Sequence, residues 1–431
     1  MARCASRGMR VVLWVAVASA AAACDLTLQN PNSPAEQDVL NTPDGIIALA
    51  VGMQAQYANA VADFLVPPSL VTDEWGTTTK SLISYQSLLT GQNFDASYGV
   101  VLAPWADAYA TIKSANNLLV HAPQVGLGAG LDGGIVALAK LYKAMALGTI
   151  ILQYQQVPIN VTGPAPVPEA RPVVLDTVLA LLESARTDFV LASGSGLAGF
   201  NSRVLGVGFN VLATIDAMRA RYYLIAGRYA QAIGAADTVP TGVLSLFAYT
   251  APVSNPIYNL SVTTGYVRVL KSFKDQAEPG DGRVGYWVDT TAAPVTGNPD
   301  SLLLPLKKNG GQNDAYQVYL PDEMKLIKAE AFTQLSQLDS AAFYVNAVRT
   351  QASSPVDEPI ANLPALDPTT QLDTPAKLLA QIAYERRYEL FEQGLRWEDT
   401  RRLGTAITTT PTLPVLPIPL QECETNPAAG C

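Results

Sequence analysis

The densest concentration of charge in this sequence lies near its C-terminal end. Residues 385–404 contain five acidic residues and five arginines, whereas the chain as a whole is only 15% charged. From Pro375 onward, apolar residues recur at three- and four-residue spacing, which predicts a helix that runs to Gly394, where glycine suits the C′ position. One side of this helix is apolar, so the fold has to pack that side and accommodate the charges beside it.

Two glutamates, Glu385 and Glu389, lie four residues apart next to the apolar side of this helix. Like charges at this spacing repel each other unless cations approach. Nearby arginines are the candidate partners, namely Arg386, Arg396, Arg401 and Arg402. One interpretation is a structural ion network that fixes the last helix against its neighbours, and the other is a catalytic carboxylate pair. We favour the ion network because nearby arginines keep both acids ionised and leave no proton donor.

Helical segments recur in pairs along the chain. Alanines at three- and four-residue spacing let the two helices of a pair approach closely, and a turn joins them, as in tetratricopeptide repeats. The pairs are residues 105–119 with 135–154, 210–226 with 230–238, and 322–335 with 339–351. A long insertion, at about residues 240–319, is rich in Gly, Pro, Thr, Asn and Tyr and contains the short alternating segment 266–270. We therefore predict a mainly α fold, a helix-pair scaffold with irregular loops and a few short strands.

The N-terminus has the architecture of a signal peptide. Positive residues precede a short apolar run that ends at Ala21-Ala22-Ala23-Cys24, which is similar to a bacterial lipobox. We predict that residues 1–23 are removed, that Cys24 is acylated and anchors the chain to a bilayer, and that residues 24–431 form a single domain. Asp25 leaves the choice between inner and outer membrane open. We expect no membrane-spanning stretch after the signal peptide.

Cys423 and Cys431 are the two thiols left to a mature chain that begins with lipidated Cys24. Because export places them in an oxidising compartment, a small disulfide loop is one interpretation, and free or dimer-forming thiols are the other. The single histidine, His121, has no cysteine or histidine nearby, so neither a zinc site nor a Ser-His-Asp triad is predicted.

No metal ion or other cofactor is predicted. Four acids in the insertion lack the spacing of a calcium-binding loop and are interpreted as a solvated loop; they are Asp275, Glu278, Asp281 and Asp289. The net charge of −9 argues against nucleic-acid binding, which relies on lysine and arginine against phosphates.

The charged segment closely resembles the C-terminal signature of the SusD/RagB family, and other segments resemble that family in the expected order. These segments are residues 72–75, 105–119, 141–158, 322–331, 345–349, 416–419 and 426–427. Two departures are Gln155-Gln156 before Val157-Pro158, where the family often has Gly-Asp, and the altered ending of the chain at residues 427–431. The resemblance spans essentially the whole mature chain.

The resemblance implies a function. Members of the family are lipid-anchored outer-membrane proteins that capture nutrients, mostly glycans, for a partner SusC-like TonB-dependent transporter, and their irregular loops form the ligand surface. We therefore expect a surface-exposed lipoprotein that binds an oligosaccharide or another small nutrient, acts as a lid over the transporter, and is not an enzyme. The loops contain few aromatic residues for a polysaccharide binder, so a non-carbohydrate ligand stays open.

Five residues are the sequence-based candidates for ligand contact. Asp73, Trp75 and Tyr85 lie in or near an early polar loop, and Tyr286 and Trp287 lie in the insertion. Tyrosine and tryptophan suit sugar rings, because their faces stack on C–H groups. Large aromatic side chains are usually buried, so a position at the edge of the core is the alternative for Trp75.

Two other function classes compete with nutrient binding. A glycan-cleaving enzyme would need two carboxylates at a fixed separation in a cleft, one of them with a raised pKa. A helical-repeat scaffold that binds only protein would explain the helix pairs but neither the insertion nor the lipid anchor.

Overall fold

The computed structural model describes residues 39–163, 165–403 and 413–431, so the predicted signal peptide, Cys24 and Asp25 lie outside the described residues. The α-helices are α1 Pro43–Asn59, α2 Val61–Val71, α3 Ile83–Thr90, α4 Gly99–His121, α5 Ala129–Ile151, α6 Arg171–Gly194, α7 Ala198–Arg203, α8 Val211–Ile225, α9 Tyr229–Ala236, α10 Pro256–Tyr258, α11 Lys271–Asp275, α12 Gly282–Trp287, α13 Pro321–Gln334, α14 Leu338–Arg349, α15 Pro375–Glu389, α16 Arg396–Leu403 and α17 Leu420–Thr425. The strands are β1 Trp75–Thr77, β2 Gln156–Pro158, β3 Pro168–Ala170, β4 Leu246–Phe247, β5 Val267–Leu270, β6 Val295–Thr296, β7 Leu302–Leu304 and β8 Tyr316–Gln317.

The predicted mainly α fold and its helix pairs are confirmed. Each pair seen in the sequence is present: α4 with α5, α8 with α9, and α13 with α14. The helices also stack in series, since α5 packs on α6, α6 on α8, α8 on α9, and α9 on α13, which in turn contacts α15. The long connections between pairs therefore interrupt the sequence pattern without interrupting the stack.

Small residues permit the close contacts between these helices. Gly148 of α5 faces the ring of Tyr222 in α8, and a Cβ atom at this position would lie 2.1 Å from the tyrosine hydroxyl oxygen. Gly134, on the same helix, faces Phe200 of α7, where a Cβ atom would lie 2.6 Å from the ring. Both glycines are required by steric packing, since their neighbours are large rings.

Helix α5 is the centre of the packed core. It is long and apolar enough to cross a membrane by length and composition, contrary to our expectation for the mature chain. However, 78% of its apolar window is buried inside the protein, which is typical of a core helix. The reason is that α4, α6 and α8 all pack against it.

The insertion forms a small sheet with the segment that follows α2. The strand order is β1-β5-β7-β6, and every pairing is antiparallel. The register places Trp75 opposite Val269 and Gly76 opposite Arg268. A Cβ atom at Gly76 would lie 2.5 Å from the Leu303 side chain, so only glycine fits there. The sheet thus joins the early polar loop to the insertion.

The C-terminal region differs from the prediction in one detail and closes with a disulfide. Helix α15 ends at Glu389, five residues before Gly394, because Leu390 already leaves helical geometry and Glu392 has a positive φ of 61°. Gly394 does adopt the left-handed conformation, with φ 68°. Cys423 and Cys431 form a disulfide with their Cα atoms 5.8 Å apart.

Candidate functional site

The two tryptophans predicted to contact ligand are buried, so this prediction is wrong. Trp75 is 0% exposed and Trp287 is 1% exposed. Trp75 lies in β1 and not on a loop. The indole nitrogen of Trp287 donates to the carbonyl of Tyr388 at 2.8 Å, and its ring contacts Phe391. The glycines before Trp287 form the short helix α12 instead of an exposed turn, and this helix turns the ring into the core.

The other three candidates are also engaged within the protein. Tyr85 is 9% exposed and packs edge-to-face on Tyr266, so it too cannot offer a free ring to a ligand. The hydroxyl of half-buried Tyr286 donates to Gln317 at 3.3 Å. Asp73 has a positive φ of 56° where the chain turns from α2 into β1, and burial raises the pKa of its carboxyl group. None of them lines the cleft described next.

A cleft of about 430 Å³ lies where the early polar loop meets the insertion. We call it the insertion cleft. Its lining consists of residues 78–80, Ser261, Val262, Gly265, Arg268, 295–296 and 305–306. The strand pattern explains why Arg268 points into it, since Val267 and Val269 are both fully buried and the intervening side chain must face the opposite side of the sheet.

Hydrogen bonds hold the wall of the insertion cleft in place. The hydroxyl of Thr78 donates to the carbonyl of Gly265 at 2.6 Å, and the backbone N–H of Lys80 donates to the Thr78 hydroxyl at 3.1 Å. The Ser81 hydroxyl donates to the carbonyl of Tyr266, and that of Thr77 donates to the carbonyl of Asn298. The contacts of Thr78 and Ser81 join segments that are 187 and 185 positions apart in sequence, and that of Thr77 spans 221 positions. The cleft is therefore formed before any ligand arrives.

The charge of the insertion cleft is positive, although the whole chain carries a net charge of −9. Lys80 is exposed and Arg268 is half-buried. Within the described part of the chain, neither side chain forms an ion pair. Among the described residues, the lining offers threonine hydroxyl groups but no carboxyl group and no histidine. Such a site can bind polar or anionic groups but holds no residue suited to act as an acid or base at neutral pH.

The sequence contained a signal for Arg268 that our search for aromatic residues missed. The alternating segment 266–270 was identified as a strand, and alternation around an arginine between two valines places that arginine on the outer face. No local pattern brings this strand together with residues 78–80, because their pairing depends on the tertiary fold.

A second groove, of about 550 Å³, lies between α4 and α17. Trp105 and Tyr109 line it, but Trp105 is only 5% exposed and packs against Tyr109 and Tyr154 with ring centroids 5.0 Å apart. Lys113 and Glu422 also line it, so its charge is mixed. The insertion cleft differs from this groove because its lining contains two cations and, among the described residues, no acid.

One pair of carboxyl groups outside the cleft has the electrostatics that an acid-base enzyme would need. Asp63 of α2 and Asp107 of α4 are half-buried and share a hydrogen bond. Burial, together with the neighbouring Asp107 carboxyl group, raises the pKa of Asp63 to about 6. Like charges this close favour one shared proton.

The predicted ion network exists, but the partners of Glu385 are other arginines than those predicted. Glu385 is fully buried, and its oxygens lie 2.6 Å from Arg283 of α12 and 3.2 Å from Arg349 of α14. Glu389 is also fully buried, yet its closest cation is Arg283 at 3.7 Å. The prediction that Arg386, Arg396, Arg401 and Arg402 pair with these two acids is wrong, because those side chains project towards other helices.

The predicted arginines have their own partners. Arg386 pairs with Asp399 at 2.8 Å, Arg402 with Glu330 at 2.7 Å, and Arg401 with Glu398 at 3.0 Å. Arg396 donates to the carbonyl of Thr72 at 3.2 Å, and burial lowers the pKa of its guanidinium to about 10. The segment therefore joins α15 and α16 to α13 and to the end of α2.

The four acids of the insertion, interpreted from the sequence as a solvated loop, are only partly solvated. Asp281 is buried and contacts Arg283 at 2.7 Å, and Glu278 pairs with Arg349. Asp275 and Asp289 are bound locally, to Lys271 and Thr291. Two of these acids thus belong to the ion network.

The comparisons with known proteins agree with this architecture. Residues 307–427 match the model of the SusD family. A SusD superfamily protein from Bacteroides fragilis has a TM-score of 0.69 at 15% identity, and the match covers 90% of this chain and 98% of that one. The B. fragilis protein NanU has a TM-score of 0.67 at 14% identity, with coverages of 93% and 98%.

A SusD-like carbohydrate binding protein from Bacteroides vulgatus has a TM-score of 0.65 at 16% identity, with coverages of 84% and 83%. No curated protein matches the sequence. At these identities the structural likeness shows the shared fold, and the family model covers the segment that contains the charged signature. The SusD family model thus matches the C-terminal part of this chain, and SusD superfamily structures share its overall fold.

Proposed function

We propose that this protein is a cell-surface nutrient-binding lipoprotein that holds its ligand in the insertion cleft without transforming it. The observation that carries the proposal is a preformed cleft with hydroxyl groups, two cations and no carboxyl group in its lining. One relative of the same fold is described as a carbohydrate binding protein, which supports a glycan as the ligand.

The two cations favour a ligand that carries a carboxylate, such as an acidic oligosaccharide. Lys80 and Arg268 come from neighbouring segments of the cleft lining, and the exposed Thr79 and Thr296 add hydroxyl groups for sugar hydroxyls. An open cleft leaves much of a ligand in water, so we expect dissociation constants from micromolar to millimolar, about −8 to −4 kcal/mol.

The proposed partner is a SusC-like TonB-dependent outer-membrane transporter, over which the protein acts as a lid. The family and the predicted lipid anchor at Cys24 support this role, and an outer-membrane location follows from it. Fatty-acid labelling of cells that express the wild type and Cys24→Ala tests the anchor. A Cys24→Ala variant that still carries label and stays on the membrane would contradict it.

Titration calorimetry tests the ligand site. Neutral and carboxylate-bearing oligosaccharides of equal length are titrated into the wild type, Lys80→Ala and Arg268→Ala. We expect the acidic ligands to bind more tightly and each substitution to weaken them about tenfold, which corresponds to about 1.4 kcal/mol. Lys377→Ala is the matched control, because Lys377 is an exposed cation at the start of α15.

A fourth variant distinguishes the two concave surfaces. Tyr109→Ala opens the groove between α4 and α17 without touching the insertion cleft. Loss of binding in Tyr109→Ala, with normal binding in Lys80→Ala and Arg268→Ala, would move the ligand to that groove and contradict the assignment.

The hydrolase stays the second candidate function because of the Asp63–Asp107 pair. Product analysis of the same mixtures decides between the two functions. Turnover that Asp63→Asn or Asp107→Asn abolishes would replace the binding protein with an enzyme. Intact ligand in every mixture supports the proposal.

A further inference from the structure

Three buried carboxylates converge beside the ion network without belonging to it. Asp322 lies at the start of α13, Glu358 in the connection between α14 and α15, and Glu389 at the end of α15. One oxygen atom from each lies within 4.8 Å of the other two. Their exposed fractions are 1%, 6% and 0%.

Most of the oxygens in this cluster have no hydrogen-bond donor among the described residues. These atoms are Oδ2 of Asp322, Oε2 of Glu358 and both Oε atoms of Glu389. Buried carboxylates without donors are strongly unfavourable, so something outside the described side chains is needed to compensate them. An acidic cluster with satisfied oxygens would carry no such implication.

The nearby cations do not fill this need. Lys325 Nζ lies 2.5 Å from Oδ1 of Asp322, whereas Arg283 is 3.7 Å from Glu389 and already donates to Asp281 and Glu385. Three carboxylates and one lysine leave a net charge of −2. A divalent cation would balance this charge.

The chemistry and the spacing favour calcium. The donor set is entirely carboxylate oxygen, which hard cations prefer and which does not suit zinc or copper. Oxygens on one Ca²⁺ lie about 2.3–2.6 Å from the ion, so two of them can be up to about 5 Å apart, whereas Mg²⁺ requires shorter separations. The oxygens of this cluster lie within 4.8 Å of one another, which is close enough for them to share one calcium ion.

We propose that Asp322, Glu358 and Glu389 bind one calcium ion, which fixes the connection between α14 and α15 to the ends of α13 and α15. Gln351 and Ser354 donate to Oε1 of Glu358, whereas its Oε2 has no donor among the described residues.

Calcium binding is measured on the purified full-length protein after treatment with EDTA. Equilibrium dialysis against calcium should give one tightly bound ion per chain, and calcium should raise the melting temperature by several degrees, because a ligand that binds only the folded state stabilises it. Magnesium at the same concentration should do so less.

Isosteric amides identify the site. Asp322→Asn and Glu389→Gln should abolish the tightly bound ion and the shift in melting temperature. In EDTA Glu389→Gln should melt at or above the wild-type temperature, since it removes an uncompensated charge, and in calcium both variants should melt below the wild type. Glu330→Gln is the matched control, because Glu330 is an equally buried acid of α13 that is paired with Arg402, and it should keep the calcium response.

Two results would overturn the calcium site. One is a wild-type protein that binds no calcium and melts identically in EDTA and calcium, which would leave protons as the species that neutralises the cluster. The other is an unchanged calcium response in Asp322→Asn and Glu389→Gln, which would place the ion at other acids. Because the wild-type measurement stands alone, the proposal remains testable if a variant does not fold.

Discussion

Arg268 and Arg283 belong to the same insertion, yet their environments are opposite. Arg283 is fully buried and donates to both oxygens of Asp281 and to Glu385. Arg268 is half-buried on the outer face of β5, and no acid lines the cleft around it. A paired buried cation stabilises the fold, whereas an unpaired cation in an open cleft is available to a ligand. The same residue type thus serves structure at one position and, in the proposed function, binding at the other.

The largest expected effect is on stability at the buried position. Arg283→Gln leaves Asp281 and Glu385 without their main cation, so we expect a loss of about 3–5 kcal/mol in the free energy of unfolding. Arg268→Gln should change it by less than about 0.5 kcal/mol, because its side chain has no ion-pair partner among the residues that the structure describes. Denaturant unfolding of both variants makes the comparison, and equal losses would show that Arg268 is also structural.

The neighbouring aromatic residues of α12 give a smaller contrast. Trp287→Phe removes the indole N–H that donates to the carbonyl of Tyr388, with an expected cost of about 1–3 kcal/mol. Tyr286→Phe, one residue earlier and half-buried, loses hydroxyl contacts of 3.1 to 3.4 Å with Gln317 and the Asp357 carbonyl and should cost less, about 1 kcal/mol. Melting curves test both. A Trp287→Phe variant as stable as the wild type but weaker in ligand binding would restore Trp287 as a ligand contact.

The pH dependence of the free energy of unfolding should reveal the buried acid Glu392, which lies beside the insertion. Asn309 donates to Glu392 at 2.8 Å, and burial raises the pKa of Glu392 from 4.5 to about 8. Between these values the unfolded chain loses a proton that the folded chain keeps, so stability falls as the pH rises, by on the order of 1 kcal/mol per pH unit. Glu392→Gln should reduce this slope. Burial also raises the pKa of Glu74, to about 7, so part of the slope should remain in the Glu392→Gln variant.

The smallest expected effect is that of ionic strength, which should weaken ligand binding at Arg268 but leave the buried ion pairs of Arg283 nearly unchanged. Exposed charges more than about 8–10 Å apart are screened at physiological salt, and partly exposed sites weaken further as salt rises. Binding of an acidic ligand should therefore weaken several-fold in high salt, while the melting temperature changes little. Salt-independent binding in calorimetry would argue against a role for Lys80 and Arg268.

The sequence predicted the helix pairs well because alanine spacing and turns are local features. It predicted that Glu385 is buried in an ion network but not that Arg283 is its partner, since 102 residues separate them and no pattern in one strand or helix encodes such a contact. Trp75 and Trp287 were misjudged because polar neighbours suggested exposure, while the strand and the short helix turn both rings inward. The sequence predicts no metal site, since Asp322, Glu358 and Glu389 come from three separate segments.

The central claim is that the insertion cleft holds a nutrient and leaves it intact. The direct measurement is to incubate the wild type and a Lys80→Ala/Arg268→Ala double variant with a mixture of acidic oligosaccharides, isolate the protein, and identify the bound molecules by mass spectrometry. The account predicts unaltered oligosaccharides on the wild type and few or none on the double variant. Shortened products, or equal recovery from both proteins, would contradict it.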